Sequence, residues 1–242
     1  MLRLFMSVDM AGSTDYKARF ADSPDVGWLR VFEAFFQIFP IVLIGQIAVE
    51  FFDEAELPSL RVWKVLGDEI IFTSEPETGR DTALLLRALF SAMARYETQH
   101  LAEMPLHLKA TAWSASFPSP NVEIEIPEMS HGVTYVDYLG RDIDLGFRIA
   151  RFAQPSAIVV SHDLLEMLLA ANAPFDYFQA GDEPLTGFNR GRPYPIILAR
   201  PVGEAFAIEN GAALYPRLVA ALKDGPADPD TLREIIAASR AG

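Results

Sequence analysis

Two short stretches of the sequence carry carboxylates at positions where a fold could bring them together. Asp9 follows a strand-like alternation of apolar residues and precedes small residues, 11–14, that can turn and open a helix. Asp68 lies in a Gly-Asp turn between two strand-like segments, which predicts a hairpin. Carboxylates are preferred ligands of Mg²⁺ and Mn²⁺, and N–H groups at a helix start attract phosphate. If the two strands are neighbours, the sequence predicts a site for metal ions and a polyphosphate.

A third stretch, residues 138–150, adds a cation to this set. It reads as a turn into a helix, on which Asp144 and Arg148 lie one turn apart on the same face. A guanidinium is a planar donor that suits phosphoryl oxygens. Taken singly, each stretch also has a structural interpretation: a Ser/Thr helix cap after a solvated carboxylate, an ordinary turn, or a surface ion pair on a helix.

In this order the three stretches resemble motifs of the class III nucleotidyl cyclases, the family of adenylate and guanylate cyclase catalytic domains. The family carries Asp-hydrophobic-x-Gly-(Phe/Ser)-Thr at a strand end, Lys-x-x-Gly-Asp in a hairpin, and Gly-x-x-(Val/Ile)-Asn-x-x-x-Arg on a helix. Two further segments are similar to the family's Pro-Gly-x-Ile-x-x-Ser strand and to its Leu-Lys-Gly-(Ile/Phe) segment. The matching segments are residues 9–14, 64–68, 140–148, 155–161 and 185–188.

The resemblance implies a fold and a division of the chain. It implies an α+β, ferredoxin-like cyclase catalytic domain across residues 1–200, with a mixed sheet and helices packed on it. Residues 201–242 contain Gly-Pro and Pro breaks and are predicted to form a helical tail outside that domain.

Hydrophobic periodicity predicts the elements of the domain. An aromatic helix is predicted to run into a strand at 48–52, and an amphipathic helix is predicted at 81–100. Residues 116–128 combine prolines with alternating apolar side chains. By resemblance this segment forms an arm that reaches across a dimer.

The resemblance also assigns roles to individual residues. Asp9 and Asp68, with the Met10 carbonyl, hold two divalent cations, Mn²⁺ or Mg²⁺. Arg148 stabilises the charge that develops on the α-phosphoryl oxygens. The backbone N–H groups that cradle the other phosphates belong to Ala11, Gly12, Ser13 and Thr14.

A further phosphate-binding cation and two departures from the family pattern complete the set. Arg190 or Arg192 stands near the place of the second phosphate-binding cation. Asp144 replaces the Asn that positions the ribose, and a carboxylate cannot donate a hydrogen bond unless it is protonated. Phe147 stands beside Arg148, where most relatives have a small residue.

Lys64 and Asp137 hold the positions at which adenylate cyclases contact the purine. A donor beside an acceptor fits adenine, but it equally fits cytosine or uracil, so hydrogen bonding leaves the base open. Pocket volume must then decide. The aromatic residues near these motifs predict a narrow pocket and a smaller base; they are Trp63, Phe72, Tyr135, Tyr138 and Phe147.

These aromatic residues, in a short chain without a sensor module, make the sequence similar to the pyrimidine cyclases of the Pycsar anti-phage systems. The resemblance implies a uridylate cyclase that converts UTP to cUMP and pyrophosphate, and a separate effector that reads cUMP in antiviral defence. It also implies a homodimer in which Asp9 and Asp68 of one chain face Asp144 and Arg148 of the other. The alternatives are an adenylate cyclase, which makes cAMP from ATP, and an inactive nucleotide-binding homologue.

Composition excludes some classes of function. A net charge of −13 argues against binding to a nucleic-acid backbone. Cysteine is absent and no signal-peptide pattern is present, so a cytoplasmic location is expected. Residues 34–49 carry no charge, but a membrane span needs about 20 apolar residues and polar, Pro and Gly residues interrupt this run. The run therefore favours a buried helix that leads into a strand.

Overall fold

The computed structural model describes residues 1–20, 27–127, 134–188, 191–204 and 216–240. The strands in these ranges are β1 (Leu2–Ala11), β2 (Leu60–Leu66), β3 (Glu69–Ser74), β4 (His107–Ser116), β5 (Asn121–Pro127), β6 (Thr134–Gly140), β7 (Ile158–Val160), β8 (Phe175–Pro184) and β9 (Pro193–Pro201). The α-helices are α1 (Ser13–Ala18), α2 (Gly27–Glu50), α3 (Gly79–Tyr96), α4 (Arg141–Ala150), α5 (His162–Ala170), α6 (Pro216–Asp224) and α7 (Pro229–Arg240). A π-helical turn, Glu97–Leu101, extends α3.

Most of the strands form one mixed sheet in the order β2-β3-β1-β4-β7-β9-β8. Its β4 and β7 are parallel, and its other neighbouring strands are antiparallel. The remaining two strands, β5 and β6, pair with each other as a separate antiparallel ribbon. The predicted α+β fold, with helices packed on a mixed sheet, is confirmed.

Strand β1 shows the two-residue alternation that its sequence predicts. One set of its side chains packs with residues of α2, α3 and α5 in the largest core; this set is Leu4, Met6, Val8 and Met10. The other set includes Phe5, Ser7 and Asp9 and faces α4 and the ribbon. We call this second side of the sheet the α4 face. The side chain of Asp9, the candidate metal-binding carboxylate of β1, lies on it.

The strand predicted at residues 48–52 is wrong, because α2 continues as one helix to Glu50. Its core side carries Phe32, Phe35, Phe39, Leu43 and Ile47. This stripe keeps helical spacing up to Ile47, so packing overrides the local strand preference of the β-branched residues. With a mean hydropathy of 1.8, α2 is the helix of the described ranges that has the length and composition to cross a membrane. Its stripe is buried against the sheet.

Helix α4 approaches the sheet most closely at Gly146. A Cβ atom at this position would lie 2.2 Å from the indole ring of Trp113. Trp113 is fully buried on β4 and stacks on Phe5, with 5.4 Å between the ring centroids. The missing side chain of Gly146 therefore allows α4, which carries Asp144 and Arg148, to lie directly on the α4 face.

Gly146→Ala is expected to lower the free energy of unfolding by about 1–3 kcal/mol, because its methyl group would overpack against Trp113. The matched control is Gly45→Ala. Gly45 also lies inside a helix, but a Cβ atom there meets nothing within 4 Å. The control is expected to stabilise the protein by about 0.5–1 kcal/mol. Urea unfolding measures both changes, and equal stability of Gly146→Ala and the wild type would contradict the close contact.

The predicted arm includes β5, which pairs with β6 from Asn121↔Gly140 to Pro127↔Thr134. Its apolar side chains remain open to solvent: Val122 is 45% exposed, Ile124 38% and Ile126 43%, and Leu139 of β6 is 56% exposed. An exposed apolar surface of this kind is typical of an interface with another protein surface.

Two helices follow the sheet near the C-terminal end. Leu218 of α6 is buried with residues of β8 and β9, and Leu232 and Ile236 of α7 are buried in the largest core. The domain boundary between residues 200 and 201 stays a prediction.

Candidate active site

The two predicted metal ligands lie near each other because β1 and β3 are neighbours in the sheet. Asp9 pairs with Glu69 across the two strands, and Asp68 directly precedes Glu69 in the β2–β3 turn. Gly67 supplies the left-handed conformation of that turn, with φ of 65°. Each carboxylate is in contact with a lysine. Lys109 Nζ lies 2.8 Å from Asp9 Oδ2, and Lys17 Nζ lies 3.6 Å from Asp68 Oδ2.

A small cleft lies beside Asp9, between the sheet and α4. It has a volume of about 220 Å³ and is lined by Ser7, Asp9, Glu69, Lys109, Thr111, Phe147, Ala150, Arg151 and Ala153. Burial raises the pKa of Glu69, and the nearby carboxylates of Asp9 and Asp68 raise it further. The Ser7 hydroxyl donates to Glu69 and partly offsets this rise. The cleft is therefore a polar space with the Asp9 and Glu69 carboxylates in its lining.

The turn from β1 into α1 depends on Gly12. Its φ of 87° is left-handed, and a Cβ atom there would lie 2.6 Å from the Pro105 carbonyl oxygen. Ala11 still belongs to β1, whereas α1 begins at Ser13. The N–H groups of the first helical turn, including those of Ser13 and Thr14, have no partners within the helix. They are available to a ligand such as phosphate.

On α4, Asp144 and Arg148 do not form the surface ion pair that their spacing allows. Asp144 is exposed and has no hydrogen bond or ion pair to any residue that the structure describes. The Arg148 guanidinium lies over the Phe188 ring, 5.2 Å from its centroid. Arg148 Nε is buried without a partner among the described residues. This side chain therefore retains donor capacity for an anion.

The structure describes one of the two residues predicted as the second phosphate-binding cation. Arg190 lies outside the described residues, and Arg192 is exposed just before β9. The assignment of either residue to a phosphate therefore stays a prediction.

The structure brings Lys64 and Asp137 together. Lys64 Nζ lies 2.8 Å from Asp137 Oδ1, which also accepts hydrogen bonds from Trp63 Nε1 (3.1 Å) and from the Tyr138 N–H (2.8 Å). Burial acts to raise the pKa of Asp137, but the hydrogen bonds from Lys64, Tyr138 and Trp63 outweigh it, so the pKa is lowered. Asp137 is therefore an ionised acceptor in contact with the Lys64 ammonium group, and the assignment of this pair to the edge of a base stays a prediction.

Of the five aromatic residues predicted near the base, Phe72 lies on the other side of the sheet, so its prediction is wrong. Phe72 pairs with Met6 across the β1–β3 ladder, and it faces the helix side, where it meets Phe39. Two-residue alternation sends it to the opposite side from Ile71. The other four residues lie on the α4 face or the adjoining ribbon; they are Trp63, Tyr135, Tyr138 and Phe147.

Phe147 lies between the Lys64–Asp137 pair and the cleft beside Asp9 on the α4 face. Its ring lies 5.9 Å from the ring of Trp63, next to Lys64, and 5.8 Å from the ring of Trp113. It also lines the cleft beside Asp9. A bulky side chain therefore stands between the Lys64–Asp137 pair and the cleft beside Asp9.

Sequence reasoning missed Lys17, Lys109 and Glu69. A signal for Lys109 was present, since Lys109 and Thr111 alternate with the buried Leu108 and Ala110 on β4. A charged residue on a central strand indicates a polar region on its side of the sheet, because burial of an unpaired charge is costly. Lys17 gave no such signal, because its contact with Asp68 joins α1 to the β2–β3 turn.

The residues present fit divalent cations, although the described residues hold no preformed metal cluster. Within the described parts of the chain, no group of three or more His, Cys, Asp or Glu side chains converges as a metal site. Two carboxylates are nevertheless enough for Mg²⁺ or Mn²⁺ when substrate phosphates and water supply the other oxygens. The lysine ammonium groups already hold positive charge at both carboxylates. Asp9, Asp68 and the Met10 carbonyl are the groups that would hold the cations.

The chain has no match among family models or curated proteins at the sequence level. Its fold does match solved structures. The adenylyl cyclase CyaB from P. aeruginosa superposes with a TM-score of 0.60 at 13% identity, covering 87% of this chain and 97% of that one. The guanylate cyclase domain of RhGC from Catenaria anguillulae, solved with GTP, gives 0.59 at 10% identity, with 83% and 96% covered.

A third match is the dimeric guanylyl cyclase domain of the RhoGC fusion protein from Blastocladiella emersonii. Its TM-score is 0.53 at 10% identity, and the match covers 81% of this chain and 95% of that domain. The chain thus has the fold of a class III cyclase catalytic domain.

Proposed function

We propose that this chain is a nucleotidyl cyclase that converts UTP to cUMP and pyrophosphate. One observation carries the proposal: a cyclase-type sheet brings the Asp9 and Asp68 carboxylates together where β1 meets the β2–β3 turn, and it also holds the Lys64–Asp137 pair beside the α4 face. The two carboxylates are suited to binding the metal ions that accompany phosphates, and the Lys64–Asp137 pair is suited to hydrogen bonding with the edge of a base. A nucleoside triphosphate carries both kinds of group.

The reaction joins two parts of one substrate. The ribose 3′-hydroxyl loses its proton to solvent as its oxygen attacks the α-phosphorus. The bond from that phosphorus to the oxygen that bridges it to the β-phosphorus breaks, and pyrophosphate leaves. Divalent cations, when bound, lower the pKa of the 3′-hydroxyl and neutralise the leaving phosphates. The Arg148 guanidinium is suited to the charge on the α-phosphoryl oxygens, because its Nε–H has no partner among the described residues. The Ser13 and Thr14 N–H groups are suited to the other phosphates.

Features of the single chain support a homodimer with shared sites. Asp144 has no partner in the described part of its own chain, and Arg148 contacts a ring rather than an anion. The ribbon exposes apolar side chains that another chain could cover. We therefore propose that Asp9 and Asp68 of one protomer face Asp144 and Arg148 of its partner. The proposed location is the cytoplasm.

The proposed base is uracil, because Phe147 narrows the space beside the base-reading pair. Uracil offers O4 to Lys64 and N3–H to Asp137, but adenine, cytosine and guanine also present an acceptor beside a donor. Steric exclusion by Phe147 is therefore the feature that would select a pyrimidine. The similarity to the Pycsar cyclases extends the proposal to cUMP as an antiviral messenger read by a separate effector. An adenylate cyclase is the second candidate, and it keeps the same metal and phosphate chemistry.

Incubation of the purified protein with UTP, CTP, ATP and GTP in the presence of Mn²⁺ tests the proposed function. The expected result is cUMP with one pyrophosphate released for each molecule formed. A cyclic purine nucleotide would contradict the uridylate assignment and support the cyclase reaction. Nucleotide binding without pyrophosphate release from any of the four would instead support an inactive homologue, which the substitution of Asn by Asp144 would explain.

Phe147→Ala is expected to raise kcat/KM for ATP relative to UTP by about ten-fold or more, because removal of the ring opens space for the second ring of a purine. Steric rejection of a larger ligand can exceed the roughly 1–3 kcal/mol with which an apolar pocket rejects a smaller one. The measurement is kcat/KM for the four triphosphates on the wild type and the variant.

Phe52→Ala is the control for this experiment, since Phe52 is 85% exposed at the end of α2. Its substrate ratios are expected to equal those of the wild type. Preference of the wild type for ATP, or identical ratios for Phe147→Ala and Phe52→Ala, would contradict a pocket that Phe147 narrows.

A further inference from the structure

Both proposed metal ligands are neutralised by lysines of their own chain. Lys109 Nζ is 2.8 Å from Asp9 Oδ2, and these side chains are 24% and 29% exposed. Lys17 Nζ is 3.6 Å from Asp68 Oδ2, and these are 34% and 23% exposed. Two separate elements, β4 and α1, therefore supply one ammonium group each to the carboxylates.

The fold holds both lysines at these positions. Lys109 lies directly opposite Asp9 in the β1–β4 ladder, so the strand register keeps the two side chains adjacent. The Lys17 ammonium also lies over the Phe32 ring of α2, 4.4 Å from its centroid. Such a contact favours one position of an otherwise flexible side chain. The two ion pairs are therefore properties of the folded chain.

This arrangement disfavours binding of a divalent cation by itself. An incoming ion must displace an ammonium group from each carboxylate. Within the described residues, no third His, Cys, Asp or Glu side chain completes a group with them that could hold a metal ion. A polyphosphate removes both obstacles to ion binding, the bound ammonium groups and the lack of further ligands. Its negative oxygens can accept the displaced ammonium groups, and other oxygens of the same chain can complete the coordination of the ion.

We propose that Lys17 and Lys109 are resident counter-ions that exclude divalent cations until a nucleoside triphosphate arrives, so that metal and nucleotide bind cooperatively. The proposal deepens the proposed function, on which it rests for the identity of the two ligands. Linkage requires that the ion and the nucleotide raise each other's affinity by the same factor. Removal of one lysine should therefore raise affinity for the ion alone and reduce that factor.

The first experiment measures Mn²⁺ binding without nucleotide, from the electron paramagnetic resonance signal of the free ion. Lys109→Met is expected to bind Mn²⁺ about ten-fold more tightly than the wild type, because it removes an ammonium group in contact with Asp9. Lys17→Met is expected to show a smaller gain, since its ion pair is longer. Lys223→Met is the control: Lys223 is exposed on α6, and its variant should bind like the wild type.

The second experiment repeats the titration with 3′-deoxyuridine triphosphate, which lacks the attacking hydroxyl and cannot cyclise. Inorganic tripolyphosphate serves in parallel, so that the result does not depend on the base. Protein-free titrations correct for the ion that either compound binds in solution. The factor by which each compound tightens Mn²⁺ binding is expected to be about ten-fold smaller in Lys109→Met than in the wild type.

The outcomes separate this proposal from the proposed function. Equal Mn²⁺ affinity of Lys109→Met and Lys223→Met without nucleotide would overturn the counter-ion role, even if the enzyme cyclises UTP. An unchanged coupling factor would overturn it as well. A third outcome would be that the wild type, like Asp9→Ala, binds no Mn²⁺ in the presence of either phosphate compound. This result would contradict the metal site itself and therefore both proposals.

Discussion

Asp9→Ala and Asp68→Ala are each expected to lower kcat about a thousand-fold or more, because each substitution removes a carboxylate from the metal site on which the proposed reaction depends. The expected cost in stability is small. Each carboxylate is partly exposed and contributes an ion pair worth at most about 1 kcal/mol. Steady-state release of pyrophosphate from UTP, together with thermal unfolding of each variant, checks both expectations.

Asp53→Ala is the control for loss of an exposed turn carboxylate that lies outside the site, between α2 and β2. It should retain wild-type activity. If Asp9→Ala or Asp68→Ala kept a tenth of the wild-type kcat with an unchanged melting temperature, the assignment of both residues to the metal site would be wrong.

A mixture of two inactive variants, Asp68→Ala and Arg148→Ala, is expected to regain activity. In a mixed dimer, one of the two shared sites combines the intact Asp68 of one chain with the intact Arg148 of the other. Random exchange of equal amounts should restore about a quarter of the wild-type activity, since half of the dimers are mixed and each has one intact site. The measurement is activity before and after subunit exchange, with exchange followed by native mass spectrometry of chains of different mass.

The matched control mixes Asp9→Ala with Asp68→Ala. These residues belong to the same half of the site, so each mixed dimer has two damaged sites and should stay inactive. Recovery in the control, or no recovery in the Asp68→Ala and Arg148→Ala mixture after demonstrated exchange, would contradict the proposed division of the site between two chains.

The parts of the fold that the sequence predicted well are those with a strong local period or a turn signal. The alternation in β1 and the Gly-Asp turn between β2 and β3 are examples. Asp9 lies near the end of a strand and Asp68 in a hairpin turn, as the sequence predicted. The end of α2 was mispredicted because Ile47 and Val49 favour strands locally, whereas the buried stripe of the whole helix decides the outcome.

The composition of the site was less predictable than its scaffold, because several contacts join distant elements. The Lys64–Asp137 contact links β2 to β6, and the Lys17–Asp68 contact links α1 to a turn. No local pattern encodes such pairs. Phe72 was assigned to the base pocket from its closeness in sequence to Asp68, but strand alternation turns its ring toward the opposite side.

The cross-strand position of Asp9 also has a consequence for how the chain reaches its folded state. A slip of β1 by one residue against its neighbours would move Met6 and Met10 to the α4 face and bury Asp9 among the aromatic side chains of α2 and α3, so such a register is strongly disfavoured. The same selection that brings the apolar side chains inside also places Asp9 beside Lys109 and Glu69. Correct strand pairing during folding thus builds the acidic site in the same step, and a misregistered intermediate would be inactive as well as unstable.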